Sequence, residues 1–240
     1  MKIRPATPAD IPAVVRVVLS ALTDEAPWKA FFPRKAQDDP TYTAYCEAIL
    51  RSYVEPAQRD DLLFLVAEAS GPETKTNSGA VIVAAAIWDT STGLGQGRGN
   101  GRQMSDSEEH DPSLDKAPGK LAALSGATVD GRRKHFSSDV PYVYLHLLAT
   151  RPDYQRKGYG KALCAWGIKA ARQKHASICA QAGSRGYILF SGLGFVDKGH
   201  VVLPTEPGSD EVLVKAMMLD SKLVQRRGSI FDSLLRYIVG

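Results

Sequence analysis

The segment from Tyr142 to Phe195 constrains the fold more than any other part of the chain. It opens with the apolar run 142–149, whose aromatic and branched residues are typical of a strand buried on both faces. After a turn at 151–153 come two closely spaced glycines, and residues 163–171 then place apolar side chains at the three-and-four spacing of a helix face. The sequence therefore predicts a strand that leads through a glycine-containing turn into a helix.

That turn has the features of an anion-binding site. The first turn of a helix leaves backbone N–H groups unpaired, and the helix dipole is positive there. Gly158 and Gly160 lack the Cβ atoms that would keep a ligand away from the backbone, and Arg156, Lys157 and Lys161 add positive charge. A pyrophosphate fits such a turn.

Two common phosphate loops can be tested by position. A Walker loop needs Gly at 155 and a hydroxyl at 162, whereas the chain has Gln155 and Ala162. A dinucleotide fingerprint that begins at Gly158 needs a small residue at 163, where the chain has Leu163. Neither loop matches the sequence.

The pattern Gln/Arg-x-x-Gly-x-Gly/Ala at 155–160 resembles the coenzyme A loop of the GNAT acyltransferase superfamily. The similarity continues through a strand at 176–182, a short helix at 184–193 and the closing Leu193-Gly194-Phe195. The resemblance implies an α/β (α+β) fold, with a mixed, mostly antiparallel central sheet of six to seven strands flanked by helices. It implies one GNAT domain over residues 1–240.

The resemblance also implies which residues hold acetyl-CoA, the expected cosubstrate. In the family, main-chain groups at the end of the strand lie beside the thioester and the turn holds the pyrophosphate. The positions that correspond in this sequence are Leu148, Ala149, Thr150, Gln155, Arg156, Lys157, Gly158, Tyr159, Gly160 and Lys161.

The N-terminal half reads as strand, helix, loop, helix and an antiparallel strand pair at 62–68 and 80–89. Composition changes abruptly after Asp89: residues 90–139 are rich in glycine and charge, and we predict a largely disordered, low-complexity insertion with at most a transient helical turn at 121–124. Residues 221–240 form a tail that docks on the core or on a second subunit.

Composition sets further limits. The 240 residues are 44% hydrophobic and 23% charged, which is typical of a soluble globular protein. The net charge of +4 suits anionic ligands but does not indicate nucleic acid. Three widely spaced cysteines indicate neither disulfides nor a metal site, and without an apolar leader we predict a cytoplasmic or nuclear protein.

Acyl transfer to an amine needs a proton acceptor, and His146 is the one histidine in the strand before the turn. Strand alternation places Tyr144, His146 and Leu148 on one face. In arylalkylamine-type GNAT enzymes the corresponding strand carries proton-accepting histidines, and His146 and Tyr144 occupy those two positions. The alternative is a buried histidine bonded to a backbone carbonyl.

The proton donor departs from the family pattern. Many members have a tyrosine five residues before the closing Phe, where this chain has Phe190. Tyr187 lies one helical turn earlier and is the candidate acid, with plain core packing as its alternative. The cysteines lie among apolar neighbours and are expected to be inert.

The leading hypothesis is direct N-acetyl transfer from acetyl-CoA to a primary amine of a small molecule or peptide, by a monomer or homodimer. The alternative is a GNAT-fold module that binds coenzyme A without catalysis, as a sensor or scaffold. Trp28, Phe31 and Phe32 stand among acidic residues, and they either form an amine pocket or anchor a loop to the core. Nucleic-acid binding through the glycine and arginine run at 97–102 is a weaker third hypothesis.

Overall fold

The computed structural model describes residues 1–54, 61–70, 79–91, 121–136, 140–205 and 211–226. Within these residues a mixed sheet has the strand order β1-β2-β3-β4-β5-β7-β6, and the neighbours are antiparallel except β4 and β5. The strands are β1 (Lys2–Pro5), β2 (Leu62–Ala69), β3 (Val81–Asp89), β4 (Tyr142–Thr150), β5 (Ser177–Ala182), β6 (Val196–Leu203) and β7 (Val212–Leu219). The predicted fold class is confirmed.

Helices cover both faces of this sheet and bury its apolar side chains in two main clusters. One cluster lies under α4 and the other under α1 and α2. The helices are α1 (Ile11–Leu22), α2 (Pro40–Val54), α3 (Leu121–His135), α4 (Tyr159–Gln173), α5 (Ser184–Gly192) and α6 (Ser221–Arg226). Among the helices just named, none is both long enough and apolar enough to cross a lipid bilayer.

A glycine sets how closely α4 approaches the sheet. A Cβ added to Gly167 would lie 2.3 Å from the indole ring of Trp88 on β3. Trp88 is completely buried, so its ring cannot move aside without opening the core. This close contact fixes α4, and with it the glycine turn at its N-terminus, against β3.

The prediction of a largely disordered insertion at 90–139 is wrong for its last third. Residues 121–135 form α3, which packs against β6 so closely that a Cβ on Gly131 would lie 2.5 Å from Val201. Gln181 Nε2 also donates to the carbonyl of Thr128 at 2.7 Å. Residues 92–120 and 137–139, and the predicted tail beyond residue 226, lie outside the described residues.

Strand β4 contains a bulge that the predicted alternation missed. Its pairing with β3 passes from Leu145 opposite Trp88 directly to Leu147 opposite Ile87, so His146 is the extra residue. Because the bulge shifts the alternation, Leu148 packs in the cluster under α4 and no longer shares a face with Tyr144 and His146. The single-face prediction is therefore wrong for Leu148.

The two parallel strands also separate after a short contact. Strand β4 pairs with β5 from Tyr142 to Leu145 and no further. Beyond Leu145 the edge of β4 toward β5 is open. In this half of the strand His146 is exposed and Leu147 and Leu148 are half-buried, so the expectation of a strand buried on both faces fails there. The exposed backbone at the end of β4 faces the space between the strands.

Candidate active site

The gap between β4 and β5 opens into a cleft of about 1700 Å³. This volume exceeds the ~300–1,000 Å³ of most small-molecule pockets, so two substrates can lie in it side by side. Its wall comes from α1, α2, α3, the end of β4, the glycine turn and α5. The predicted site residues that line it are Tyr144, His146, Leu148, Ala149, Thr150, Gln155, Arg156, Gly158, Tyr159, Gly160 and Lys161, whereas Lys157 and Tyr187 do not.

The glycine turn has a backbone shape that suits an anion. Gly158, the residue before α4, has a φ of 89°, and Arg156 has a φ of 63°. Such left-handed residues in a turn direct successive N–H groups toward one side, which creates an anion-binding concavity. The helical ladder begins with Ala162 N–H donating to the Gly158 carbonyl at 2.9 Å, so the amides before it point out of the N-terminus of α4.

Side chains join this turn to the end of β4. Gln155 Nε2 donates to the Thr150 carbonyl at 3.2 Å. A Cβ on Gly160 would lie 3.5 Å from Leu189 and 3.8 Å from Thr150, in the space between the turn and the strand. Arg156 and Lys161 supply positive charge at the cleft. These features fit a diphosphate held by the turn with its attached chain running along β4.

A charged cluster lies behind His146. Asp89, the last residue of β3, accepts a hydrogen bond from Arg132 Nη2 at 3.2 Å, and its Oδ2 lies 3.8 Å from His146 Nε2. Arg132 also donates from Nε to the Tyr142 hydroxyl at 3.2 Å and stacks over the Tyr144 ring at 4.2 Å. The cluster therefore links α3, β3 and β4.

Asp89 stays ionised in this cluster. Burial opposes ionisation, but the nearby imidazole of His146, hydrogen bonds from Ser91 and the positive charge of Arg132 outweigh it and hold the pKa of Asp89 below its usual value. Burial is also the main reason why the pKa of Tyr144 is raised, so its hydroxyl remains protonated. The carboxylate can thus orient the imidazole and stabilise its protonated form.

The side chain of His146 is open to the cleft. This differs from the alternative interpretation, in which the histidine is buried and bonded to a backbone carbonyl. Its side chain is 27% exposed. The imidazole lies between two aromatic rings, 5.0 Å from the ring of Tyr144 and 5.6 Å from that of Tyr53. The bulge in β4 turns the side chain of His146 toward the cleft.

Phe190, at the position where many family members have a tyrosine, and Tyr187, the candidate acid, lie in different places. Phe190 lines the cleft, is 3% exposed and packs 5.1 Å from the ring of Phe195. Tyr187 is 38% exposed and lies outside the lining. The structure therefore brings a phenyl ring, and not a hydroxyl, to the position where many family members have tyrosine.

Sequence reasoning missed Asp89 and Arg132 as site residues. Asp89 marked only the end of a strand, and Arg132 lay in a segment assigned to disorder. A signal was present, since Leu121, Leu124, Thr128 and Arg132 repeat at helical spacing. Each of the two interpretations of the aromatic loop after α1 holds for part of it. Trp28 and Phe32 line the cleft, whereas Phe31 anchors the loop in the core.

The three cysteines are buried, and burial raises the pKa of Cys46, Cys164 and Cys179 to about 12. We expect a thiol reagent such as DTNB to label none of them at pH 8 in the native protein and all three in denaturant. Labelling of a cysteine at the rate of a free thiol without denaturant would contradict this burial. A DTNB assay of thiol release would therefore carry no background from the native protein.

Residues 96–189 match the model of the acetyltransferase (GNAT) family. No curated protein matches the chain in sequence. Among solved structures, the chain is similar to one described as histone acetyltransferase HPA2 and related acetyltransferase from Corynebacterium glutamicum ATCC 13032. The identity is 25% and the TM-score 0.53, over 91% of this chain and 95% of that one.

Two further structures share the fold at lower identity. One is the polyamine N-acetyltransferase of Drosophila melanogaster, an enzyme that forms N-acetylagmatine, with 16% identity, a TM-score of 0.60 and coverage of 91% of this chain and 99% of that one. The other is an agmatine N-acetyltransferase, with 14% identity, a TM-score of 0.54 and coverage of 91% and 98%.

Proposed function

We propose that this chain, which belongs to the GNAT acetyltransferase family, transfers an acetyl group from acetyl-CoA to a primary amine. The observation that carries the proposal is the separation of β4 from β5 beside the left-handed turn at Gly158. Together they provide a diphosphate site and, next to it, a strand end whose backbone is free to bind a second group. That the similar proteins include enzymes named for polyamine and agmatine acetylation supports an amine acceptor.

The turn would bind the diphosphate of coenzyme A through the backbone amides that precede Ala162. Arg156 and Lys161 line the cleft beside them and offset the negative charge. The backbone at Leu148, Ala149 and Thr150 would bind the pantetheine arm and donate to the thioester carbonyl as negative charge develops on it. Acetyl-CoA supplies the activated acetyl group, and the chain supplies position and charge stabilisation.

The acceptor amine must lose a proton before it can attack, because its pKa in water is about 10 and the ammonium form has no lone pair. We assign this proton to His146, which faces the cleft with the ionised Asp89 behind it. The amine nitrogen bonds to the acetyl carbon, the carbon–sulfur bond breaks with its electron pair leaving on sulfur, and the second proton that the nitrogen loses passes to the thiolate or to solvent. Asp89 stabilises the imidazolium, and Arg132 holds Asp89 in place.

The thiolate can leave without first being protonated by an acid. A thiol has a pKa of about 8.5, so its conjugate base is a tolerable leaving group near neutral pH. With Phe190 lining the cleft and Tyr187 outside it, we propose that a tyrosine acid is dispensable here. Tyr144, 6% exposed and in edge contact with His146, would position the imidazole and not exchange protons itself.

The proposal is tested by incubating the full-length protein with acetyl-CoA and a panel of primary amines. We expect amine-dependent release of free thiol, together with an acceptor mass gain of one acetyl group. If coenzyme A binds by calorimetry but no amine of the panel is acetylated, the chain is a binding module, the alternative that Phe190 favours. If neither coenzyme A nor acetyl-CoA binds, the proposed function is wrong.

A further inference from the structure

We infer that the acceptor is a monoamine carried on an aromatic or apolar body, and not a polyamine. This inference rests on the proposed acetyl transfer and concerns the half of the cleft on the far side of His146 from the glycine turn, called here the acceptor half. Its wall is formed by α1, α2, the loop between them and α3.

The acceptor half is lined mainly by apolar and aromatic side chains. They come from each of the elements that form it and include Leu22, Trp28, Phe32, Ile49, Tyr53 and Leu124. Burying apolar substrate surface here contributes about 25 cal/mol per Å². A ring or alkyl body is therefore stabilised, whereas a chain that carries charges along its length would lose its water against a wall that is mostly apolar.

Carboxylates are scarce in this lining. Of the described residues that line the cleft, the one carboxylate is that of Glu25. Its Oε1 accepts the backbone N–H of Arg185 at 2.8 Å, and a Cβ on Gly183 would lie 2.5 Å from the same oxygen. Glu25 is thus packed against the start of α5, where it secures the loop between α1 and α2.

The charged side chains that α3 contributes to this lining are arginines and not carboxylates. Arg132 and Arg133 on α3 both line this half of the cleft. The negative charge of Asp89 lies close by, but Arg132 pairs with it at 3.2 Å. Among the described residues, the charged side chains that α3 contributes to this lining are therefore cations, which offer no acceptor oxygen to a second ammonium group.

One ammonium group can nevertheless be accepted beside His146. The ring of Tyr53 lines the cleft 5.6 Å from the imidazole and can attract a single cation, whereas Arg132 already stacks over the ring of Tyr144. The amine would wait there until His146 removes its proton, with its apolar body directed toward α1, α2 and α3. One amine and one apolar body match the polar position at His146 and the mainly apolar wall of the acceptor half.

The test is calorimetric titration of the full-length protein with 2-phenylethylamine and with spermidine, each with and without saturating coenzyme A. We expect 2-phenylethylamine to bind at least about 10-fold more tightly than spermidine. Equal or tighter binding of spermidine, or no heat from 2-phenylethylamine, would overturn the inference. Failure of coenzyme A to bind would overturn the proposed function instead, and the titrations without coenzyme A would still decide between the two amines.

A charge added to α3 gives a second, independent measurement. Ser125 lines the cleft, whereas Ala123 on the same helix is exposed and does not. We expect Ser125→Asp to strengthen spermidine binding by about 5-fold or more, since the new carboxylate offers a partner for the remote ammonium. Ala123→Asp, which adds the same charge on the outward face, should leave it unchanged. An equal response of the two variants would count against the assigned acceptor half.

Discussion

Replacement of His146 by glutamine is expected to lower kcat at pH 7 by about 100-fold or more, the usual contribution of a positioned general base. Glutamine keeps much of the volume and polarity of the imidazole but cannot take a proton from the ammonium group. The affinity for coenzyme A should change less than about 2-fold, because His146 lies outside the glycine turn. Steady-state kinetics with an acetylated amine, and calorimetry with coenzyme A, provide the two measurements.

His135→Gln is the matched control for this substitution. His135 lies on α3, outside the cleft lining, with Nε2 3.0 Å from the His200 carbonyl oxygen. Its replacement should leave kcat within about 2-fold of the unaltered protein. If the His146 variant retained full turnover at pH 7, another group or a water chain would be the base, and the assignment to His146 would be abandoned.

The Gly158→Val variant is expected to weaken coenzyme A binding by about 10- to 100-fold. A β-branched residue at a φ of 89° costs about 1–3 kcal/mol, and each 1.4 kcal/mol corresponds to a factor of ten in affinity. To avoid that strain the turn must rotate, which redirects the amides before Ala162 away from the diphosphate. The dissociation constant from calorimetry measures the loss directly.

Gly192→Val separates this conformational effect from the effect of added bulk. At both glycines an added Cβ would meet no atom within 4 Å, but only Gly158 of the two has a left-handed φ. The Gly192 variant should therefore bind coenzyme A with unchanged affinity. Equal, normal binding by both variants would show that the left-handed turn does not hold the ligand.

The glycine turn and the strands and helices around it could be predicted because their determinants are local. The turn from Gln155 to Gly160, the helix after it and the closing Leu193-Gly194-Phe195 depend on backbone conformation and short-range periodicity, both of which are visible in the sequence. Predicted strands and helices here agree with the structure to within a few residues. The strand at 196–203 is longer than predicted because its first residues are exposed and lack an apolar signal.

The acceptor half was less predictable because long-range contacts build it. Helix α3 contains two glycines and few apolar residues, so its own sequence gives weak helical signal. It is stabilised by contacts with other parts of the fold. Val201 packs against Gly131, and Arg132 donates a hydrogen bond to Asp89, which lies 43 residues earlier in the chain. The bulge at His146 likewise depends on how β3 and β4 pair, and alternation along one strand cannot reveal it.

The short contact between β4 and β5 has a consequence for the integrity of the whole sheet. Residues before Thr150 build one part of the sheet and residues after it the other, and among the described strands the two parts share a single ladder, between Tyr142–Leu145 and Ser177–Ala180. A ligand bound to both the end of β4 and the start of α4 would add a noncovalent link between the two parts of the sheet. Bound substrate would then raise the temperature at which the two parts of the sheet separate.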